Sequence, residues 1–480
     1  MKTFFAAKKP TLNEINEYCK GELICSGISG DETVSALCTD SREADRDTMF
    51  AAIVGERTDG HEYISGCAES GCPFFLATKI PEMKTEKPYG IILVDDIYAA
   101  LSALAEGYGR ERSCFTVGVT GSVGKTTTKE FIASVLSEKT KTFKTEDNHN
   151  SVIGMPLSSL EIGDDIGAAV MEMGMSGFGE ISLMTRAVHP DVAVITNIGT
   201  SHMELLGSRE NICRAKLEIA EGLGENGILI LNRDEPLLVS ADKHGKKVFY
   251  VGIENRDSDL RAVNIRTSLG KTVFDLLVGG RIYTDIELPV MGQHNVYAAL
   301  FAFSVGRIFG MDVDSIRRGL MKYKSVGMRQ NIYELAGITV IEDCYNASPE
   351  SMRAAIDLMH ELAKQKPASR CVALLGDMLE LGENSPELHR GVGGYLARSG
   401  ASVLFTYGER AEGIALAALE NGMNPQNIYV NRSAGTPEKM GEMMLHALKK
   451  GDILLVKASR SMAAEKVIEY LKKNTDKLPI

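Results

Sequence analysis

Residues 115–138 read FTVGVTGSVGKTTTKEFIASVLSE: an apolar, β-branched run, a glycine-containing turn and an amphipathic segment. FTVGVT has the pattern of a buried strand. In KEFIASVLSE, Phe131, Ile132, Val135 and Leu136 fall on one face, as in a helix packed on a core. Between them, TGSVGKTTT, residues 120–128, has the makings of a phosphate-binding loop. Gly121 and Gly124 let backbone N–H groups turn toward phosphate oxygens, and Ser122, Val123 and Thr127 belong to the same nucleotide-binding set. The helix N-terminus adds partial positive charge, Lys125 neutralises the outer phosphates, and Thr126 offers a hydroxyl to magnesium. Val119 stands where the longer phosphate-loop pattern has its first glycine, leaving the shorter G-x-x-G-K-T.

Working outward, VGVT, AAVMEMG, DVAVITNIG and GILILN alternate with helix-like segments from Phe115 to about Lys324, which predicts a parallel sheet. The rhythm resumes after Gly327 with GITVIED, CVALLGD, SVLFTYGE and DILLVKAS, predicting a second α/β domain. Residues near 255–289 alternate around a Gly-Gly pair and predict a small antiparallel insertion. The charged stretch RERS, residues 110–113, marks off a first region. The expected division is 1–112, 113–326 and 327–480, in line with a chain of 480 residues at roughly 150 per domain.

Composition narrows the function classes. The chain is 44% hydrophobic and 24% charged, which fits a folded globular protein. A net charge of -11 argues against binding nucleic acid or anionic membrane broadly. Nine cysteines, an odd number with no C-x-x-C pair, read as reduced thiols of a cytoplasmic protein. No run is long enough for a membrane span, so no integral membrane segment is expected.

A phosphate loop indicates a nucleotide and leaves the reaction open. No Asn-Lys-x-Asp guanine motif occurs. Glu172 closes the strand AAVMEMG and His202 follows the strand DVAVITN, so both belong at the carboxyl edge of the sheet, where magnesium ligands are expected. Asp377, Lys457, Ser459 and Arg460 also sit at or just after apolar strands, either as ligand contacts or as loop charges and caps.

The segments TGSVGKTTTKE, EMGMSGFGEI, TNIGTSHMELLGS, AKLEI, GQHNVYAAL, GMRQ and DCYNASPESM, in this order, resemble the Mur ligase family. These are ATP-dependent, peptide-bond-forming enzymes of peptidoglycan precursor synthesis. The resemblance implies an N-terminal domain holding the uridine diphosphate end of the substrate, a central P-loop ATPase domain, and a C-terminal Rossmann-like domain closing on ATP and the amine. TDSREADRDTMFAAIVGERTDGHEY, GDMLELGENSPELH and LVKASRSMAAEKV, with no Asp-Asn-Pro-Arg motif, point to the member that adds D-alanyl-D-alanine to UDP-N-acetylmuramoyl-tripeptide.

The resemblance also implies roles. ATP would meet Lys125, Thr126, Asn295, Arg329, Asp343 and Asn346, while Ser41 and Arg42 would meet the uridine nucleotide. Asn148 and Asn150 would face substrate, although the local stretch reads D-N-H-N-S-V-I-G, with Asp147 and Ser151 departing from the family pattern. Glu172 and His202 would hold magnesium, and from their strand-end positions some of Asp377, Lys457, Ser459 and Arg460 are expected to touch the dipeptide or acyl phosphate. On pattern alone Lys216 is a helix lysine in a surface ion pair; the resemblance makes it a lysine carbamylated by carbon dioxide, an oxygen ligand for the metal. A monomer is expected. The rival readings are another Mur-type or folylpolyglutamate-like amide ligase, and a P-loop protein that uses ATP only as a conformational switch. The TDSR region argues against a folylpolyglutamate synthase, and Glu172, Lys216 and Arg329 in family register argue against the switch.

Overall fold

The computed structural model describes every residue except 56, 147, 269, 434, 479 and 480, so the departure at Asp147 lies outside the described residues. It is an α/β protein with three sheets. The first comprises β1 (Lys2–Phe4), β2 (Glu22–Ser26), β3 (Ala36–Cys38), β4 (Thr48–Ala51), β5 (Phe74–Ala77) and β6 (Tyr89–Leu93), in the order β1-β3-β4-β5-β6-β2.

The second sheet comprises β7 (Phe115–Thr120), β8 (Thr142–Lys144), β9 (Ala168–Glu172), β10 (Val192–Ile195), β11 (Ile228–Asn232), β12 (Lys247–Gly252), β13 (Leu260–Ser268), β14 (Lys271–Val278) and β15 (Arg281–Leu288). Its order is β15-β14-β13-β12-β11-β10-β7-β9-β8. Pairing is parallel from β8 through β13. Helices cover both faces of such a sheet, and accordingly β9 and β10 are buried along their whole length. The antiparallel run expected as an insertion is instead an extension of this sheet. β13 pairs in parallel with β12, and β14 and β15 then fold back antiparallel. Gly279 and Gly280, with φ of +55° and +75°, make the tight hairpin turn between β14 and β15.

The third sheet comprises β16 (Asn331–Leu335), β17 (Ile338–Asp343), β18 (Cys371–Gly376), β19 (Val403–Tyr407), β20 (Ile428–Asn431) and β21 (Ile453–Lys457), in the order β16-β17-β21-β18-β19-β20. Only the β16–β17 pair is antiparallel. The carboxyl ends of β7, β9 and β10 in the second sheet, and of β17 and β21 in the third, face a shared cavity. Open parallel sheets place ligands there, because loops leave the strands and helix N-termini converge at that edge.

Candidate active site

The phosphate loop is built from its backbone outward. Helix Lys125–Leu136 begins inside the glycine-containing turn, with Gly124 as its N-cap at φ +83°. Gly121 has φ +150°, and a Cβ there would lie 1.8 Å from Thr196 Oγ1, so no other residue fits. The loop is fastened to the end of β10: Val123 N–H donates to Asn197 Oδ1 at 2.9 Å, and Thr196 Oγ1 donates to the Val123 carbonyl at 2.7 Å. Lys125 Nζ donates to the Gly121 carbonyl at 2.8 Å. Burial pushes the Lys125 ammonium below its ordinary value, while the nearby Glu172 carboxylate opposes that shift.

Glu172 ends β9 with 2% of its surface exposed. Its Oε1 accepts from Asn150 Nδ2 at 2.8 Å, and its N–H donates to Thr145 Oγ1 at 3.0 Å. Its Oε2 is buried without a hydrogen-bond partner and lies 3.7 Å from Lys129 Nζ. Lys129, 1% exposed, donates to the Thr145 carbonyl at 2.6 Å. Lys216, on helix Arg209–Leu217, is also 1% exposed. Burial, reinforced by the charge of Lys125, pushes its ammonium well below the lysine range. The surface ion pair that the pattern alone predicts for Lys216 does not form, because the side chain is inside.

Beside the phosphate loop and Glu172 lies a cavity of about 800 Å³; Lys129 and Lys216 are not among the described residues that line it. Ser122 through Thr127, Asn148, Asn150, Glu172 and His202 line it from the central region, and Arg329, Asp343, Asn346 and Lys457 line it from the C-terminal side. Lys457 Nζ, 2.7 Å from Asp343 Oδ2, also donates to the Asn346 carbonyl at 2.9 Å. The Arg329 guanidinium lies over the Tyr345 ring, 3.8 Å from its centroid.

Other expected residues lie elsewhere. Asn295 is buried and donates to the Met291 carbonyl at 2.7 Å and Gln330 Oε1 at 3.2 Å, so it supports the cavity wall from behind. Asp377, Ser459 and Arg460 do not line the cavity. Asp377 accepts the Ala411 N–H at 2.7 Å, Ser459 accepts the Leu379 N–H at 3.0 Å, and Arg460 pairs with Glu465 at 2.7 Å. Ser41 and Arg42 are in a short helical turn of the first region, where Arg42 Nε donates to Asp40 Oδ1 at 2.8 Å.

Several cavity residues carried no sequence assignment. Glu350 accepts from Thr200 Oγ1 at 3.1 Å, Glu380 meets His202 Nδ1 at 2.9 Å, and Tyr297 donates to Asp234 at 2.8 Å. Each pair joins residues at least 63 positions apart, a juxtaposition that only the tertiary fold supplies. All lay in or beside recognisable segments, but no local spacing joins them.

Among the described residues no group of three or more His, Cys, Asp or Glu forms a self-sufficient metal site. Magnesium bound with a nucleotide needs only one or two carboxylates, because phosphates and water complete its shell. The buried Glu172 Oε2, without a hydrogen-bond partner and near the Thr126 loop, fits that role.

The comparisons agree with this architecture. Residues 119–306 match the model of the Mur ligase middle domain, and residues 328–460 that of the Mur ligase, glutamate ligase domain. The UDP-N-acetylmuramoyl-tripeptide–D-alanyl-D-alanine ligase of Bacillus subtilis is 38% identical, the match covering 96% of this chain and 98% of the relative. The ligase of the same description from Escherichia coli is 31% identical, with 97% and 98% covered. The structure of MurF from Acinetobacter baumannii superposes with a TM-score of 0.85 at 27% identity, covering 97% of this chain and 99% of that one. MurF ligase from Thermotoga maritima in complex with ADP superposes at 0.80 with 30% identity, covering 92% and 98%. The phosphate loop, the cavity between two sheets and the full-length likeness lead to one conclusion: the chain belongs to the Mur ligase family.

Proposed function

We propose that this protein joins D-alanyl-D-alanine to UDP-N-acetylmuramoyl-tripeptide in peptidoglycan precursor synthesis, in the cytoplasm and as a monomer. The observation that carries the reading is the convergence of the phosphate loop with Glu172, Asp343, Lys457 and Glu380 on one cavity within a single chain. Residues 1–112 hold the uridine diphosphate end through the Ser41–Arg42 turn, 113–326 hold ATP, and 327–480 close over it. The separation of the three sheets along these ranges supports that division.

Amide formation from a carboxylate in water is uphill, so the carboxylate is first activated. Its oxygen attacks the γ-phosphorus of ATP, the bond to the bridging oxygen breaks, and ADP leaves. Lys125 and the loop N–H groups offset the repulsion between the two anions as charge moves. Thr126, Glu172 and His202 would hold magnesium, which supplies further neutralisation of phosphate charge. The dipeptide nitrogen then forms the C–N bond, and the acyl C–O bond breaks. Phosphate leaves carrying one proton of the former ammonium, and a second passes to solvent. Asn150 keeps Glu172 oriented, and Lys457 holds Asp343 and the 346 loop against the nucleotide side.

As a carbamate, Lys216 would supply an oxygen ligand to the metal. Its burial favours the neutral amine, the form whose lone pair bonds to the carbon of carbon dioxide with loss of a proton. Product mass from incubations of ATP and D-alanyl-D-alanine with UDP-N-acetylmuramoyl-tripeptides tests the proposal. Growth of the nucleotide by one dipeptide is expected, with lysine or diaminopimelate as third residue deciding the preferred substrate. Absence of a dipeptide adduct with either nucleotide would refute it.

A further inference from the structure

The loop after β18, residues 377–382, is fastened on several sides. His389, fully buried, accepts the Met378 N–H at Nε2 (3.0 Å) and donates from Nδ1 to the Ser385 carbonyl (2.7 Å). Ser459 accepts the Leu379 N–H at 3.0 Å, and Asp377 ties the loop to Ala411. Met378 and Leu381 fill the core. Held in this way, Glu380 adopts φ +62°, a left-handed conformation that costs energy for a residue with a Cβ.

Glu380 is the one side chain of this loop that lines the cavity. Its carboxylate meets His202 at 2.9 Å and is close enough to Lys125 for the two charges to interact, yet its side chain keeps 62% of its surface exposed. The other C-terminal carboxylates are occupied differently: Asp343 is neutralised by buried Lys457, and Glu350 accepts from the Thr200 hydroxyl. A strained, well-anchored, exposed anion facing the phosphate loop is built to receive a mobile cation.

We propose that Glu380 receives the ammonium group of the incoming dipeptide and sets it beside the activated acyl carbon. This rests on the ligase reading above. A carboxylate–ammonium hydrogen bond is charge-assisted, and its place near Lys125 puts the nitrogen, nucleophilic once one proton has passed to solvent, next to the group that Lys125 helps to activate. Asp377, Ser459 and His389 become positioning residues for Glu380.

Steady-state kinetics of Glu380→Gln, which keeps the size and removes the charge, test this directly. The KM for D-alanyl-D-alanine should rise about 10-fold or more, the loss of one charged hydrogen bond. The KM values for ATP and the nucleotide tripeptide should change far less, by about 2-fold, because the glutamine amide oxygen can still accept from His202 and only the charge is lost. D-lactyl-D-alanine, with a hydroxyl in place of the ammonium, should inhibit both enzymes equally, and Glu380→Asp should recover part of the dipeptide affinity. An unchanged dipeptide KM, or an equal rise in the KM for ATP as expected of a simple domain latch, would overturn the assignment. So would equal weakening of D-lactyl-D-alanine. Absence of product from the unsubstituted enzyme would overturn the ligase reading and this assignment with it.

Discussion

The two junctions of the molecule are built from opposite materials. Between the first and central regions a single apolar core runs without interruption, from Leu12 and Ile15 through Leu101 and Leu104 to Leu157 and Met184. Polar contacts there only trim its margin, such as Ser102 Oγ donating to the Leu183 carbonyl at 2.6 Å. The C-terminal region instead keeps two cores of its own, joined from the central region by little more than Met291. Its contacts across the cavity are hydrogen bonds: Glu350 with Thr200, Glu380 with His202, and the Glu204 N–H with the Glu380 carbonyl. Buried apolar area is lost outright on separation, whereas part-buried polar contacts at a cavity rim exchange largely for water. This contrast predicts that the C-terminal domain opens while the first two regions move as one.

If the phosphate-binding groups belong wholly to the fixed side, Lys125→Ala should lower turnover by about 100-fold or more while leaving the domain arrangement unchanged. Near-normal turnover would remove the loop from the chemistry. Lys216→Ala should lose about 10- to 100-fold in activity with the fold intact, and acetate or formate should restore part of it. Full activity before any addition would refute the carbamate.

At the apolar junction, Leu104→Ala should cost about 2–5 kcal/mol of unfolding free energy, read from denaturant midpoints. A loss as small as that of a surface residue would break the contrast between the junctions. At the polar junction, Thr200→Val should change stability by less than about 1 kcal/mol, yet reduce the compaction seen by small-angle scattering when an ATP analogue and nucleotide tripeptide are added. A radius unchanged by ligand in the unsubstituted protein would point to a rigid, preassembled site.

The smallest effect concerns pH. The hydrogen bond with His202 holds the Glu380 carboxyl below its ordinary value. A carboxyl lowered in the folded state stabilises above its unfolded pKa of about 4.3, and that contribution fades as pH falls through the folded value. Hydrogen exchange followed as pH falls below about 4 should show the loop at 377–382 loosening while helix Ile97–Gly109 stays protected.

What could be read from the sequence was what is local. Strand, glycine-containing turn and helix lie within residues 115–138, so the phosphate loop and Lys125 were visible at once. Glu172 was visible because a polar residue ending an apolar strand has few other places to be. The antiparallel pattern near 255–289 was legible, but not its partner, because nothing in an alternating run names the strand it joins. Asp377 and Ser459 follow apolar strands as Lys457 ends one, yet only Lys457 reaches the cavity; the other two bond backbone groups at residues 411 and 379. Glu380 and Glu350 are surface-like acids in the sequence and acquire meaning only when two domains face each other.

The most direct test of the account is phosphate release from ATP, measured with each partner substrate omitted in turn. Sustained release should require both UDP-N-acetylmuramoyl-tripeptide and D-alanyl-D-alanine, because the proposed acyl phosphate breaks down productively only when the amine is present. Equal release from ATP alone would contradict it.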